Sequence, residues 1–263
     1  MRERKLASEG GLRSYVAQKL TTKWSPEQIS HRLMKDFPDD HSMRASTETI
    51  YQAIYAQGSL ALPRQLKTAM RQGRTIRKPR RDPAQRTSRF TQPLVPIAQR
   101  PPEAEDRTVP GHWEGDLIIG KMGRSAIGTM VERSSRAVSL IHLPHDHTAE
   151  TVRDGLIDTV NKMPLGLRRS LTWDQGAEMS DHAAFRGATQ MDVYFCDPGS
   201  PWQRGSNENT NGLLRQYFPK GTDLSQHSPE DLQRVAAELN ERPRKSLDWD
   251  TPTERLHALL EDS

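Results

Sequence analysis

Cysteine is nearly missing from this chain: Cys196 stands alone among 263 residues. One thiol excludes an intrachain disulfide and fits a reducing compartment. It also excludes a zinc module built on paired cysteines, although nine histidines are present. No apolar run approaches the ~20 residues of a membrane-spanning helix, and the N-terminus lacks the apolar core of a signal peptide. The expectation is a cytoplasmic protein with no membrane partner. Hydrophobic residues are scarce at 33% and aromatic ones at 6%. Charge of both signs, with Trp and Tyr, still describes a folded soluble chain that carries a polar segment.

Acids are the next absence, confined to one stretch. From Arg64 to Arg89 there are ten Lys/Arg and a single acid, Asp82. That segment carries +9 of a net charge of +4, which leaves −5 for the rest. A basic arm beside a slightly acidic body points to a polyanion as its partner. A solvated linker would carry the same run.

What is present divides the chain in three. Residues 1–62 read as helical. Ser25-Pro26-Glu27-Gln28 is a capping-box start, Ser46-Thr47-Glu48 is a second start, and Gly11 to Leu20 offers a third helix. A three-helix unit of this size is compatible with a helix-turn-helix. Residues 63–106, rich in proline and positive charge, read as an extended linker with a short helix near Pro63–Met70. From residue 107 the texture becomes alternating: strands at 112–120, 126–133 and 137–143, a helix at 148–163, a strand at 169–176, a helix at 181–190 and a strand at 192–198. Two more helices start at Pro229 and Pro252. Three successive strands followed by alternating helix and strand predict an α/β fold, a mixed five-stranded sheet flanked by helices.

The segment Ser200–Lys220 sets Glu208 among Asn207, Asn209 and Asn211 ahead of the apolar stripe Leu213, Leu214, Tyr217, Phe218. Helix capping accounts for such residues by itself. Two further acids change the picture. Alternation along 112–120 puts Glu114, Asp116 and Ile118 on one face, so Asp116 sits mid-strand, where a lone carboxylate is costly. Asp174 ends the fourth strand beside Gln175-Gly176, opposite in facing to Leu171 and Trp173. Three converging carboxylates repel one another unless a cation sits among them, and hard oxygen donors suit Mg2+ or Mn2+.

These motifs carry a resemblance. His112-Trp113-Glu114-Gly115-Asp116, Thr172-Trp173-Asp174-Gln175-Gly176 and the block from Trp202-Gln203-Arg204-Gly205 through Asn207-Glu208-Asn209 to Asp223 resemble a DDE transposase of the insertion-sequence-thirty family. The 33 residues between Asp174 and Glu208 are the spacing of that family, and Trp24–Ile29 and Glu48–Tyr51 match its upstream region. The resemblance implies a ribonuclease-H-like integrase core over 107–263, with Asp116, Asp174 and Glu208 as catalytic metal ligands for two Mg2+ or Mn2+ ions. It implies end cleavage and strand transfer, with transposon ends and target DNA as partners. It further implies a homo-oligomer assembled on DNA and a place at the bacterial nucleoid. DNA contact is expected at Arg204, Asn207, Asn211, Arg215 and Lys220, and along the arm at Arg77, Lys78, Arg80 and Arg81. Glu114 is read as a supporting acid or an auxiliary ligand, and Trp113 and Trp202 as core. Family members carry a further helix-turn-helix upstream, and here Met1 falls just ahead of Leu12. The alternative reading is therefore a truncated DNA-binding remnant that regulates an intact transposase.

Overall fold

Ser25 Oγ accepts from Gln28 N at 3.2 Å, and Gln28 Oε1 accepts from Ser25 N at 2.7 Å, so the capping box read from the sequence forms. In the computed structural model, which describes Leu6 and residues 10–55, 90, 92–143 and 145–261, this box opens a helix of the first of two compact units. That unit holds α1 (Gly11–Thr21), α2 (Pro26–Asp36) and α3 (Thr47–Tyr55). Val16, Leu20, Ile29, Leu33, Ile50 and Ile54 meet in its core, the i, i+4 stripes of the three helices turned inward. The unit is not continuous in sequence. Glu241–Thr251 belongs to it as well. Gln28 Nε2 donates to Pro243 O at 2.7 Å, Arg32 Nη1 donates to Trp249 O at 3.2 Å, and the Trp249 ring stacks on His31 with centroids 4.0 Å apart.

The second unit takes the described residues of Ile76–Asn240 and Pro252–Ser263. A short α4 (Pro102–Asp106) precedes β1 (His112–Ile119), β2 (Ala126–Glu132) and β3 (Val138–Leu143). Then come α5 (Ala149–Asn161), β4 (Ser170–Trp173), α6 (His182–Thr189), β5 (Asp192–Phe195), α7 (Gly205–Leu214), α8 (Pro229–Asn240) and α9 (Pro252–Glu261). The sheet order is β3-β2-β1-β4-β5. The first three strands pair antiparallel, and β4 and β5 run parallel to β1.

Each face of the sheet buries its own core. Trp113, Leu171, Trp173 and Val193 pack with Val152, Leu156 and Val160 of α5 and Phe185 of α6. Ile118, Ile127, Val131 and Val138 pack with Leu213 and Leu214 of α7 and Leu232, Val235 and Leu239 of α8. The five-stranded mixed sheet between helical layers is the expected ribonuclease-H-like α/β architecture. Among the described residues no helix is long and apolar enough to cross a membrane.

Two local readings are corrected. The apolar stripe after Glu208 does not stay helical: α7 stops at Leu214, and Phe218 N turns back to Leu214 O at 2.8 Å. Pro219 disfavours the helical conformation of Phe218, which still reaches the core from the turn. Within the stretch read as linker, Pro102 at the first helical position starts α4, and Ala104 is fully buried. The short helix expected near 63–70 lies outside the described residues, as does the arm from 64 to 89.

Candidate active site

Strand register brings the two aspartates together. β1 and β4 are parallel neighbours with Trp113 opposite Leu171 and Glu114 opposite Thr172. One more pleat along that register stand Asp116 and Asp174, on the face opposite Trp113 and Trp173. Gly115, between Glu114 and Asp116, lies against the Trp173 ring: a Cβ there would sit 2.1 Å from Trp173 Cζ3. Glycine is thus the residue that lets the ring of β4 close onto β1. Burial raises the Asp116 pKa above the ordinary carboxylate value, Arg204 works against the rise, and the Asp174 charge adds to it.

The helix that carries Glu208 is tied to the same strand. Glu114 is fully buried. Its Oε2 accepts from Ser206 N at 2.9 Å and from Asn207 N at 3.0 Å, and its Oε1 pairs with Arg133. Free N–H groups and the dipole make a helix N-terminus an anion site. Here a carboxylate from β1 fills it, while the residue preceding α7 gives no side-chain cap. Asn207 is fully buried too: its Nδ2 donates to Glu114 O at 2.9 Å, and Thr129 Oγ1 donates to its Oδ1 at 3.1 Å. Its amide is spent inside the protein, which removes it from the expected DNA contacts.

On the next turn Asn211 Nδ2 donates to Asp116 Oδ2 at 3.0 Å. The other amide atom, Asn211 Oδ1, is buried without a hydrogen-bond partner. Glu208 stands in the first turn of α7, exposed, three residues before Asn211 and therefore on the same side of the helix. Among the described residues no three His, Cys, Asp or Glu side chains are grouped tightly enough to hold a metal ion.

Arg204 occupies the space between the aspartates. Only 8% exposed, it donates from Nη1 to Gly115 O at 2.6 Å and from Nη2 to Asp174 Oδ2 at 3.0 Å, with Nη1 3.4 Å from Asp116 Oδ1. Burial opposes its charge, but Asp116 and Asp174 outweigh that and raise its pKa. Arg204, expected at the DNA, stands in this structure as an interior cation. Arg215, half-buried, donates to Phe218 O at 3.3 Å and Ile119 O at 3.2 Å. Lys220 is exposed, and Arg77, Lys78, Arg80 and Arg81 lie outside the described residues.

Trp113 is core as expected, with Nε1 donating to Leu167 O at 2.8 Å. Trp202 is not: it is 67% exposed on the turn before Arg204. Cys196 is buried, and burial pushes its thiol up to about 11, so it offers no thiolate nucleophile near neutral pH.

Carboxylates on adjacent parallel strands and on a following helix are the working parts of integrase-type polynucleotidyl transferases, which use divalent metal ions. Residues 106–201 match the family described as integrase core domain. The chain is 50% identical over 256 residues to the transposase for insertion sequence element IS1086 of Cupriavidus metallidurans, covering 97% of this chain and 75% of that one. It is 44% identical to the transposase InsI for IS30A of Escherichia coli, covering 92% of this chain and 63% of the relative. It is 32% identical to the transposase for IS4351 of Bacteroides fragilis, covering 98% and 77%. The chain belongs to the IS30 family of insertion-sequence transposases. It is a DDE-type enzyme that acts on DNA, and the reading as a regulatory remnant is not favoured.

Proposed function

We propose that Asp116, Asp174 and Glu208 form the catalytic centre for cleaving insertion-sequence ends and joining them to target DNA. The observation that carries this reading is that Asp116 and Asp174 meet at one guanidinium, Arg204, with Asn211 of α7, three residues after Glu208, hydrogen-bonded to Asp116. The donor set fits a hard cation: carboxylates that repel one another when close, and the unpartnered Asn211 Oδ1 beside them. Mg2+ or Mn2+, as two ions held by the three acids, would activate the attacking oxygen and stabilise the leaving one.

The protein's own groups do the rest. Asn211 holds the Asp116 carboxylate by one oxygen and so fixes its orientation. Glu114 and Asn207 fix the rotation of α7, which sets where Glu208 points. In the first step water attacks the phosphodiester at the element's end, and the 3′ oxygen leaves as the hydroxyl. In the second that 3′-hydroxyl attacks a target phosphodiester, one P–O bond forming as another breaks. Phosphodiester exchange of this kind needs no covalent enzyme intermediate, in keeping with the raised Cys196 thiol.

Residues 1–62 with Glu241–Thr251 serve as a helical DNA-binding unit in this reading, 63–106 as a basic arm that holds phosphates, and the rest of 107–263 as the catalytic region, with a homo-oligomer assembled on the ends. Lys220 and Arg215 are the contacts to DNA proposed from the segment after α7. Asp116→Asn keeps shape and removes charge, as does Glu208→Gln. Each should lower cleavage of an end duplex in Mg2+ by on the order of 10²–10³ or more. Either variant cutting at the parental rate overturns the assignment.

A further inference from the structure

We propose that Arg204 is the resident cation of the aspartate pair: its guanidinium holds Asp116 and Asp174 in place while no divalent ion is bound, and metal binding displaces it. The inference rests on the reading of those two residues as metal ligands.

Arg204 lies almost wholly out of water, where a charge is stable only with partners. Its partners are the two aspartates and the backbone of the residue between Glu114 and Asp116. One terminal nitrogen reaches Gly115 O at 2.6 Å and lies 3.4 Å from Asp116 Oδ1, and the other reaches Asp174 Oδ2 at 3.0 Å. Two like charges on neighbouring strands are thus neutralised by one planar cation that spans them. Arg204 Nε is buried without a partner, so the side chain is placed by its carboxylate contacts and not by a full set of hydrogen bonds. A divalent ion bound to the same carboxylates would stand beside a guanidinium of the same sign that is itself almost wholly out of water. The two are mutually exclusive.

The chain supplies a route for the exchange. Arg204 is the residue immediately before α7, and it is followed by Gly205, with no side chain to hinder it. Glu208 is four residues further on, exposed in the first turn of the same helix. One helix end therefore carries both the internal cation and the third acid. With Arg204 inward and Glu208 exposed, the pair is neutral and metal-free; with Arg204 outward, three carboxylates are available. An outward guanidinium beside the site is also a bidentate phosphate donor. DNA backbone binding and metal binding then pull Arg204 in the same direction.

Mn2+ binding to the full chain without DNA tests this, by titration calorimetry on the parent, Arg204→Gln, Asp116→Asn and the double variant. Removing the competing cation should tighten Mn2+ binding, on the order of 5–150-fold, the usual range for coupled sites. Asp116→Asn should weaken binding in both backgrounds. Equal or weaker binding by Arg204→Gln, with Asp116 still required, overturns the resident cation and leaves the metal reading standing. Binding indifferent to Asp116 overturns the metal reading itself. Should Arg204→Gln fail to fold, the parent chain answers alone: phenylglyoxal labelling of Arg204, mapped by peptide mass, should rise when saturating Mg2+ is added. Unchanged protection with metal bound refutes displacement.

Discussion

Glu114 Oε2 accepts the backbone N–H of Asn207 at 3.0 Å, joining the middle of β1 to the first turn of α7 across 93 residues of sequence. The same carboxylate neutralises Arg133, whose own Nε is spent on Ala104 O at 2.7 Å. Glu114→Ala would leave the Nη1 of the buried Arg133 and two helix N–H groups without their acceptor, with Glu105 at 3.4 Å the carboxylate left on Arg133. Breaking such a pair from one side costs about 3–5 kcal/mol. Denaturant unfolding of the parent and the variant measures it; a loss below about 1 kcal/mol would show that these bonds are dispensable.

Gly115 makes a second, steric prediction. A methyl at that position meets a rigid indole ring and not the end of a flexible side chain. Gly115→Ala should lose roughly 1–3 kcal/mol, as overpacked cores do. In a Trp173→Leu background the added methyl has room, so the same substitution should cost clearly less there. Additive losses in the double variant would mean that the ring is not what excludes a Cβ.

His112 couples stability to pH. Burial pushes its pKa from the ordinary 6.5 down to about 4, and Ser170 Oγ lies 2.7 Å from its Nδ1. The folded chain keeps the ring neutral while the unfolded chain takes up a proton near 6.5. The stability that His112 contributes is therefore complete above that value and is lost as pH falls towards about 4. His112→Asn should flatten the decline across that interval. Parallel pH profiles for parent and variant would assign the decline to other groups; Glu132, whose carboxyl burial pushes up, works in the opposite sense.

The arm is tested by salt. Replacing Arg77, Lys78, Arg80 and Arg81 by Ala should make the slope of log K against log salt shallower by roughly 0.9 for each duplex phosphate that is no longer neutralised. A slope that does not change assigns the arm to a spacer.

Much of this was legible in the residues themselves. Period-two alternation in 112–120 separated Asp116 from Trp113, and the Ser25–Gln28 box and the cap-and-proline starts announced helices within a few residues of where they form. Local chemistry governs those features, so a local reading finds them. Arg204 was missed as an internal cation because its partners lie 30 and 88 positions back, at Asp174 and Asp116; alone it is one of 38 Lys/Arg. Its one local signal is its position four residues before Glu208. Glu114 was ambiguous for the same reason, since the N–H groups it binds are 92 and 93 residues away. Trp202 misled because tryptophan is usually buried, whereas Pro201 starts a turn that holds it outward.

The stretch Glu241–Thr251 folds with α1–α3, so the helical unit is written in two separate places in the gene. A single recombination event that swapped the leading part of the gene between relatives would deliver three helices without the tryptophan that stacks on His31. Exchange of the unit demands two matched crossovers on either side of the catalytic sheet. A front-end swap alone would leave the incoming helices without the later stretch they fold with.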